Sequence, residues 1–260
     1  MNVRTIAASP ALVDASLSRR RFLGGMAGLA AAVAVAPRVS WAQSGTPAAS
    51  DGTWAAWTKY NLHLITSDQI LAIPSAGNQM TREFPEYRPY TTIAQFRQEI
   101  GKYVGNDVTA GYEQYVFVPI DPAQVDEATL ATLPGADADK AAQLAKGVPY
   151  ASDDAFLQAV AAVVSPEQAA AIPMYLASKN QPSVTWVKFN LNKASDDQFK
   201  TIPGVGDQMV KEFNEYKPYA SIKTFRTEIG KYVDSSTVAG YERYVYVPVD
   251  VTQADADTLA

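Results

Sequence analysis

The sequence predicts an all-α fold, a tandem array of three related units with short extended segments between them. Three observations predict it. The chain repeats itself without a gap at 129 residues: Trp57 matches Trp186, Pro74 matches Pro203, Tyr103 matches Tyr232 and Pro119 matches Pro248, with more than half the positions identical up to Ala131 against Ala260. Apolar residues within each copy recur at helical spacing, Met209, Phe213 and Tyr216 forming one stripe at i, i+4 and i+7. Between two such segments, Ile202-Pro203-Gly204-Val205-Gly206 reads as a tight hairpin, because proline stops a helix and glycine can take positive φ. Repetition on this scale points to stacked or beaded repeats rather than to one large enzyme core.

In chain order, Ser18-Arg19-Arg20-Arg21-Phe22-Leu23 resembles the twin-arginine export signature, with Gly24 where a lysine is common. The run from Phe22 to Ala36 is rich in glycine and alanine and only modestly apolar. It is shorter than the roughly 20 residues that span a bilayer. Ser40-Trp41-Ala42 offers a small-x-small cleavage pattern, so residues 1–42 read as a twin-arginine signal peptide and Gln43 as the start of a periplasmic mature chain with no membrane span. An uncleaved N-terminal anchor is the alternative; either way the remainder lies outside the cytoplasm. Residues 43–53 have a linker composition.

The first unit is expected over 54–121, a degenerate second over 122–182 and the third over 183–250. Residues 251–260 repeat the opening of the second unit and then stop, as a stub of a further unit or a tail. In the third unit Ser195 supplies an N-cap, followed by Asp196 and Asp197 where acidic residues suit the helix dipole. Pro203 ends that helix and Asp207 opens the next, which stops at Pro218. Ser221 caps a third helix, with Ile222, Phe225, Ile229, Tyr232 and Val233 on one face. A short helix then leads to an extended exit over Val245–Val247, closed by Pro248. The middle unit keeps the outline at an offset of 69: Thr132-Leu133-Pro134-Gly135-Ala136-Asp137 aligns with Thr201 to Gly206, and Phe156 with Phe225.

The order Asn190-Leu191-Asn192, Ala194-Ser195, Ile-Pro-Gly-Val-Gly and Pro-Tyr-Ala-Ser resembles the helix-hairpin-helix family, most closely the units of ComEA-type exported DNA receptors. The PsbU-type extrinsic proteins of photosystem II are similar in outline and use the motif among proteins. The first resemblance implies that backbone N–H groups of the hairpin and the following helix N-terminus hold DNA phosphates without reading base sequence. Helix N-termini favour anions for general reasons. Residue by residue, it places phosphate contacts at Gly204, Val205, Gly206, Gln208 and Lys211, and at Gly77, Asn78, Gln79 and Arg82 in the first unit, where Ser75 replaces the first glycine. Asp137 stands at the second glycine position of the middle unit and should repel phosphate, which leaves that hairpin a structural role. The expected partner is double-stranded DNA or, on the second resemblance, an exported protein in a scaffold with no nucleic-acid binding.

Composition narrows the chemistry. There is no cysteine and a single histidine, so disulfides, thiolate metal sites and cysteine nucleophiles are excluded. His63 aligns with Asn192, so the repeat does not need an imidazole there. No nucleophile-base pair, Walker-type loop or metal-ligand cluster appears, and no enzyme, cofactor or metal is expected. Glu83 and Glu86, like Glu212 and Glu215, read as solvated stripes beside basic neighbours. The formal charge of −5 becomes −9 without residues 1–42, yet both outer hairpin regions, 74–104 and 203–233, carry +1 against −2 in the middle one. Continuous positive charge around Gly204 to Lys211 would favour DNA, and an apolar patch would favour a protein partner.

Overall fold

The computed structural model describes residues 52–249. The export signal, most of the linker and the terminal stub expected from the sequence lie outside them. The first unit runs β1 (Trp54–Asn61), α1 (Ser67–Leu71), α2 (Met80–Glu86), α3 (Ile93–Val104), α4 (Asn106–Tyr112) and β2 (Val116–Phe117). The middle segment holds α5 (Glu127–Leu130), α6 (Ala138–Ala145), α7 (Asp153–Ala161) and α8 (Pro166–Ala171), then two 3₁₀ turns. The third unit repeats the first: β3 (Ser183–Asn190), α9 (Asp196–Lys200), α10 (Asp207–Glu215), α11 (Ile222–Ile229), α12 (Ser235–Glu242) and β4 (Val245–Tyr246).

Local chemistry sets the helix starts. The Ser195 hydroxyl accepts from the Gln198 N–H while the Gln198 side chain accepts from the Ser195 N–H, a reciprocal capping box that Thr66–Gln69 and Ser165–Gln168 reproduce. Thr92, Ser152 and Ser221 cap the equivalent helices α3, α7 and α11. Helix α11 ends at Ile229, so Tyr232 falls outside the apolar face predicted for it; its hydroxyl instead meets that of Tyr216 at 2.9 Å.

The all-α expectation is overturned by a four-stranded mixed sheet in the order β2-β1-β3-β4. β1 and β3 pair antiparallel, with β2 parallel to β1 and β4 parallel to β3 on the outside. The extended exit expected at Val245–Val247 supplies the edge strand β4, while the two central strands, β1 and β3, have no counterpart among the elements expected from the sequence. The physical reason is non-local. Within its own unit Trp54–Asn61 meets only the two residues of β2; its long hydrogen-bonding edge comes from its copy 129 residues away, and periodicity within one unit carries no trace of that partner.

The register gives the sheet a pseudo-twofold axis. Trp57 opposes Trp186, its own counterpart in the repeat, and Trp54↔Phe189 mirrors Tyr60↔Ser183. Trp57, Lys59, Trp186 and Lys188 therefore share one face of the sheet. The first unit has its own apolar core around Phe84, Phe96 and Tyr112, whereas the middle and third units share another around Phe156, Trp186, Phe213 and Phe225. Edge-to-face ring pairs recur at equivalent places, Phe84–Phe96 in one unit and Phe213–Phe225 in the other, both at 5.3 Å. Glu83 is buried in the first unit, and Glu212 Oε2 is a buried acceptor without a hydrogen-bond partner, so neither belongs to a solvated stripe.

Candidate phosphate-binding hairpins

All three hairpins share one backbone device. The residue after proline takes left-handed φ: Ser75 at 64°, Gly135 at 77° and Gly204 at 79°. The N–H two residues after the proline closes the turn, Ala76 onto Ile73, Ala136 onto Leu133 and Val205 onto Ile202, at 3.0 to 3.2 Å. A tyrosine holds the outer hairpins from behind, Tyr112 donating to the Ser75 carbonyl at 2.8 Å and Tyr241 to that of Gly204 at 3.1 Å. The turn is therefore rigid before anything binds it.

From there the hairpins differ. In the third, Gly204 and Gly206 are exposed and no side chain caps α10. The first-turn N–H groups, from Asp207 to Met209, have no acceptor within the helix and lie at the positive end of its dipole. Val205 has the opposite fate, with a buried side chain and an N–H engaged in the turn, which makes it an anchor of the hairpin. Gln208 and Lys211 lie exposed along the start of α10.

Two cations that sequence reasoning missed join them. Lys200, the last residue of α9, pairs with the Asp207 carboxylate at 2.8 Å, which lowers the Asp207 pKa and raises that of Lys200. Lys140 from α6 lines, with Lys200 and Gly204 to Gly206, a hollow of about 380 Å³. Lys200 has a sequence signal, since it directly precedes Thr-Ile-Pro-Gly; Lys140 comes from another unit and leaves none.

The first hairpin is looser as an anion site. Gly77, Asn78, Gln79 and Arg82 are all exposed, but α2 begins only at Met80, whose N–H is already bonded to the Gly77 carbonyl at 2.9 Å. The position of Lys200 is taken by Leu71, 46% exposed, so the border of this hairpin is apolar where that of the third is basic. The middle hairpin is closed. Pro134, Gly135 and Ala136 are buried, the Gly135 N–H bonds Tyr244 Oη at 3.2 Å, and Asp137 caps its own helix through the Lys140 N–H at 2.9 Å. The carboxylate expected to repel phosphate occupies the donors a phosphate would need.

The lone histidine is structural. Its Nε2 donates to the Tyr90 carbonyl at 2.8 Å, as Asn192 Nδ2 donates to that of Tyr219 at 2.9 Å. Among the described residues no group of three or more His, Asp or Glu side chains is arranged to hold a metal, and no helix is long and apolar enough to cross a membrane. Comparison with protein-family models, with curated proteins and with solved structures finds no match to this chain.

Proposed function

We propose that this chain is an exported, non-enzymatic binding protein that grips the sugar-phosphate backbone of double-stranded DNA, independently of base sequence, through its third hairpin. One observation carries the reading. An exposed, rigid turn delivers uncapped N–H donors of a nine-residue helix to the surface, with Lys200 and Lys140 beside them and Lys211 one turn on. Uncommitted donors and nearby cations suit a phosphate diester and carry no means of reading a base edge. Export rests on the twin-arginine-like signature at Arg19-Arg20 and the Ser40-Trp41-Ala42 pattern.

Fluorescence anisotropy of labelled duplex DNA with the full chain tests it. The native protein is expected to bind with an affinity that falls as salt rises, and a Lys200→Gln, Lys211→Gln double variant to flatten the log–log salt slope by about 2, one per lost contact. Absence of binding even at low salt would refute the reading. A second reading has an observation of its own, the exposed Leu71 that stands at the first hairpin in the position of Lys200. It makes that hairpin a contact for an exported protein partner, in the manner of the PsbU-type resemblance.

A further inference from the structure

The pseudo-twofold face of the sheet holds a second cluster that the hairpins do not use. Each central lysine reaches across the axis onto the opposite tryptophan: Lys59 Nζ lies 4.6 Å from the Trp186 ring centre, and Lys188 Nζ lies 4.6 Å from that of Trp57. Both lysines are about 95% buried. Their environments differ because the repeat differs at one position. Lys188 Nζ donates to the Gln114 amide oxygen of the first unit at 2.6 Å, and the Glu242 carbonyl accepts a longer contact from it at 3.4 Å. The counterpart of Gln114 in the third unit is Arg243, so Lys59 faces a guanidinium where Lys188 finds an acceptor.

Lys59 makes no hydrogen bond among the described residues. The cation–π contact does not explain this, since Lys188 has the same contact and its acceptors as well. Arg243 is also incompletely satisfied: Nη1 donates to the Ala131 carbonyl at 2.6 Å, while Nη2 is buried with no partner. The nearby carboxylates are committed elsewhere. Glu113 is held at 2.7 Å by both Arg97 nitrogens, and Glu242 by Arg226 at 2.7 and 2.8 Å. Burial, reinforced by Arg243 and Lys188 against the weaker pull of Glu113, drives the Lys59 pKa well below its ordinary range. A buried amine and a guanidinium nitrogen without acceptors are costly to keep unless something supplies the acceptors.

Lys59, Arg243, Gln114 and both arginine–glutamate pairs line one cleft of about 1230 Å³, into which α4 and α12 also face. We propose that this cleft binds a small organic acid, its carboxylate or phosphoryl oxygens accepting from Lys59 Nζ beside the positive charge of the Arg243 guanidinium. The cleft is far larger than an inorganic ion, and Tyr115, Val116 and Val238 on its wall offer apolar surface to the body of such a molecule. The two bidentate pairs keep Glu113 and Glu242 out of competition with the ligand. Pro74 and Ser75 of the first hairpin touch its rim, but no residue of the third hairpin lines it.

The test is a titration of the full chain with phosphate, sulfate and succinate in turn, at constant ionic strength, followed by calorimetry and by tryptophan fluorescence, since Lys59 lies over Trp186. The expected result, in a Gly206→Asp chain whose third hairpin is blocked to anions, is saturable binding of at least one probe, weakened about tenfold or more by adding Lys59→Met or Arg243→Gln. Response to phosphate and sulfate alone identifies a phosphoryl head group; response to succinate identifies a carboxylate. Lys59→Met is expected to fold, because it removes an unpaired buried amine, and circular dichroism checks it. Should it not fold, Arg243→Gln alone decides, as it restores the residue of the first unit. No binding of any probe at tens of millimolar, or binding that survives in the folded cleft variants, overturns the proposal.

Discussion

Replacing Gly206 with aspartate should strengthen the fold and weaken DNA binding, a combination that separates the two roles of the third hairpin. Gly206 has φ −94° and ψ −177°, close to the −100° and −177° of Asp137, which caps α6 at the equivalent place. A Cβ at Gly206 would meet nothing within 4 Å. The new carboxylate can therefore accept from the Met209 N–H as Asp137 does from that of Lys140. An aspartate cap exceeds glycine by a few tenths of a kcal/mol, and removing glycine's freedom in the unfolded chain adds about 0.4–1 kcal/mol. Repulsion from Asp207 opposes this, but that carboxylate is paired with Lys200. The net gain is about 1 kcal/mol, a rise in Tm of about 2–4 °C for a chain of this size. The same carboxylate occupies the donors and places negative charge where a phosphate would lie, so affinity should fall by more than about tenfold. Thermal denaturation by circular dichroism and anisotropy at low salt measure the two effects on one sample. A lower Tm would refute the capping argument, and unchanged affinity would remove the third hairpin as the phosphate site.

Ser75→Gly should stabilise the first hairpin by up to about 1 kcal/mol, because an L-residue at left-handed φ costs about 1–2 kcal/mol and glycine's extra unfolded freedom returns only part of it; a fall in Tm would contradict this. His63→Asn should change stability by less than about 0.5 kcal/mol, since Asn192 already performs that task. His63→Ala should cost about 1 kcal/mol for the unmet Tyr90 carbonyl, and equal effects of the two changes in urea denaturation would refute the equivalence. Burial, with Arg243 adding to it and Glu242 opposing, lowers the Lys188 pKa to about 8 from an ordinary 10.5. Between those values the unfolded chain binds more protons, so this group makes stability rise with pH across that window and contributes no slope below it. Lys188→Met should remove its share of the rise in Tm, leaving that of Lys59, which has the same sign; an unaltered pH profile would count against a perturbed Lys188.

What could be read from the sequence was what acts locally. Ser195 announces a capped helix, Pro203-Gly204 a turn with room for positive φ, and Asp137 a hairpin closed to phosphate. Each involves residues a few positions apart. The sheet escaped because its central bonds join residues on opposite sides of the repeat, and within a unit the long strand has only a two-residue partner. For the same reason nothing local marks Lys59 and Lys188 as buried, although Trp-x-Lys in both copies is a period-two signal that pairing turns inward. Lys140 reaches the third hairpin from another unit, beyond any local pattern.

The pairing of each central tryptophan with its own counterpart has a consequence for how such a chain can diverge. Two separate copies of one unit, joined through the same strand, would form a homodimer in which every substitution appears twice. Carrying both copies on one polypeptide removes that constraint while keeping the join. Leu71 can then stand in one half where the other has Lys200, and Gln114 where the other has Arg243. One half keeps a basic hairpin while the other takes on an apolar border, and the seam between them acquires a polarity that a symmetric dimer could not have.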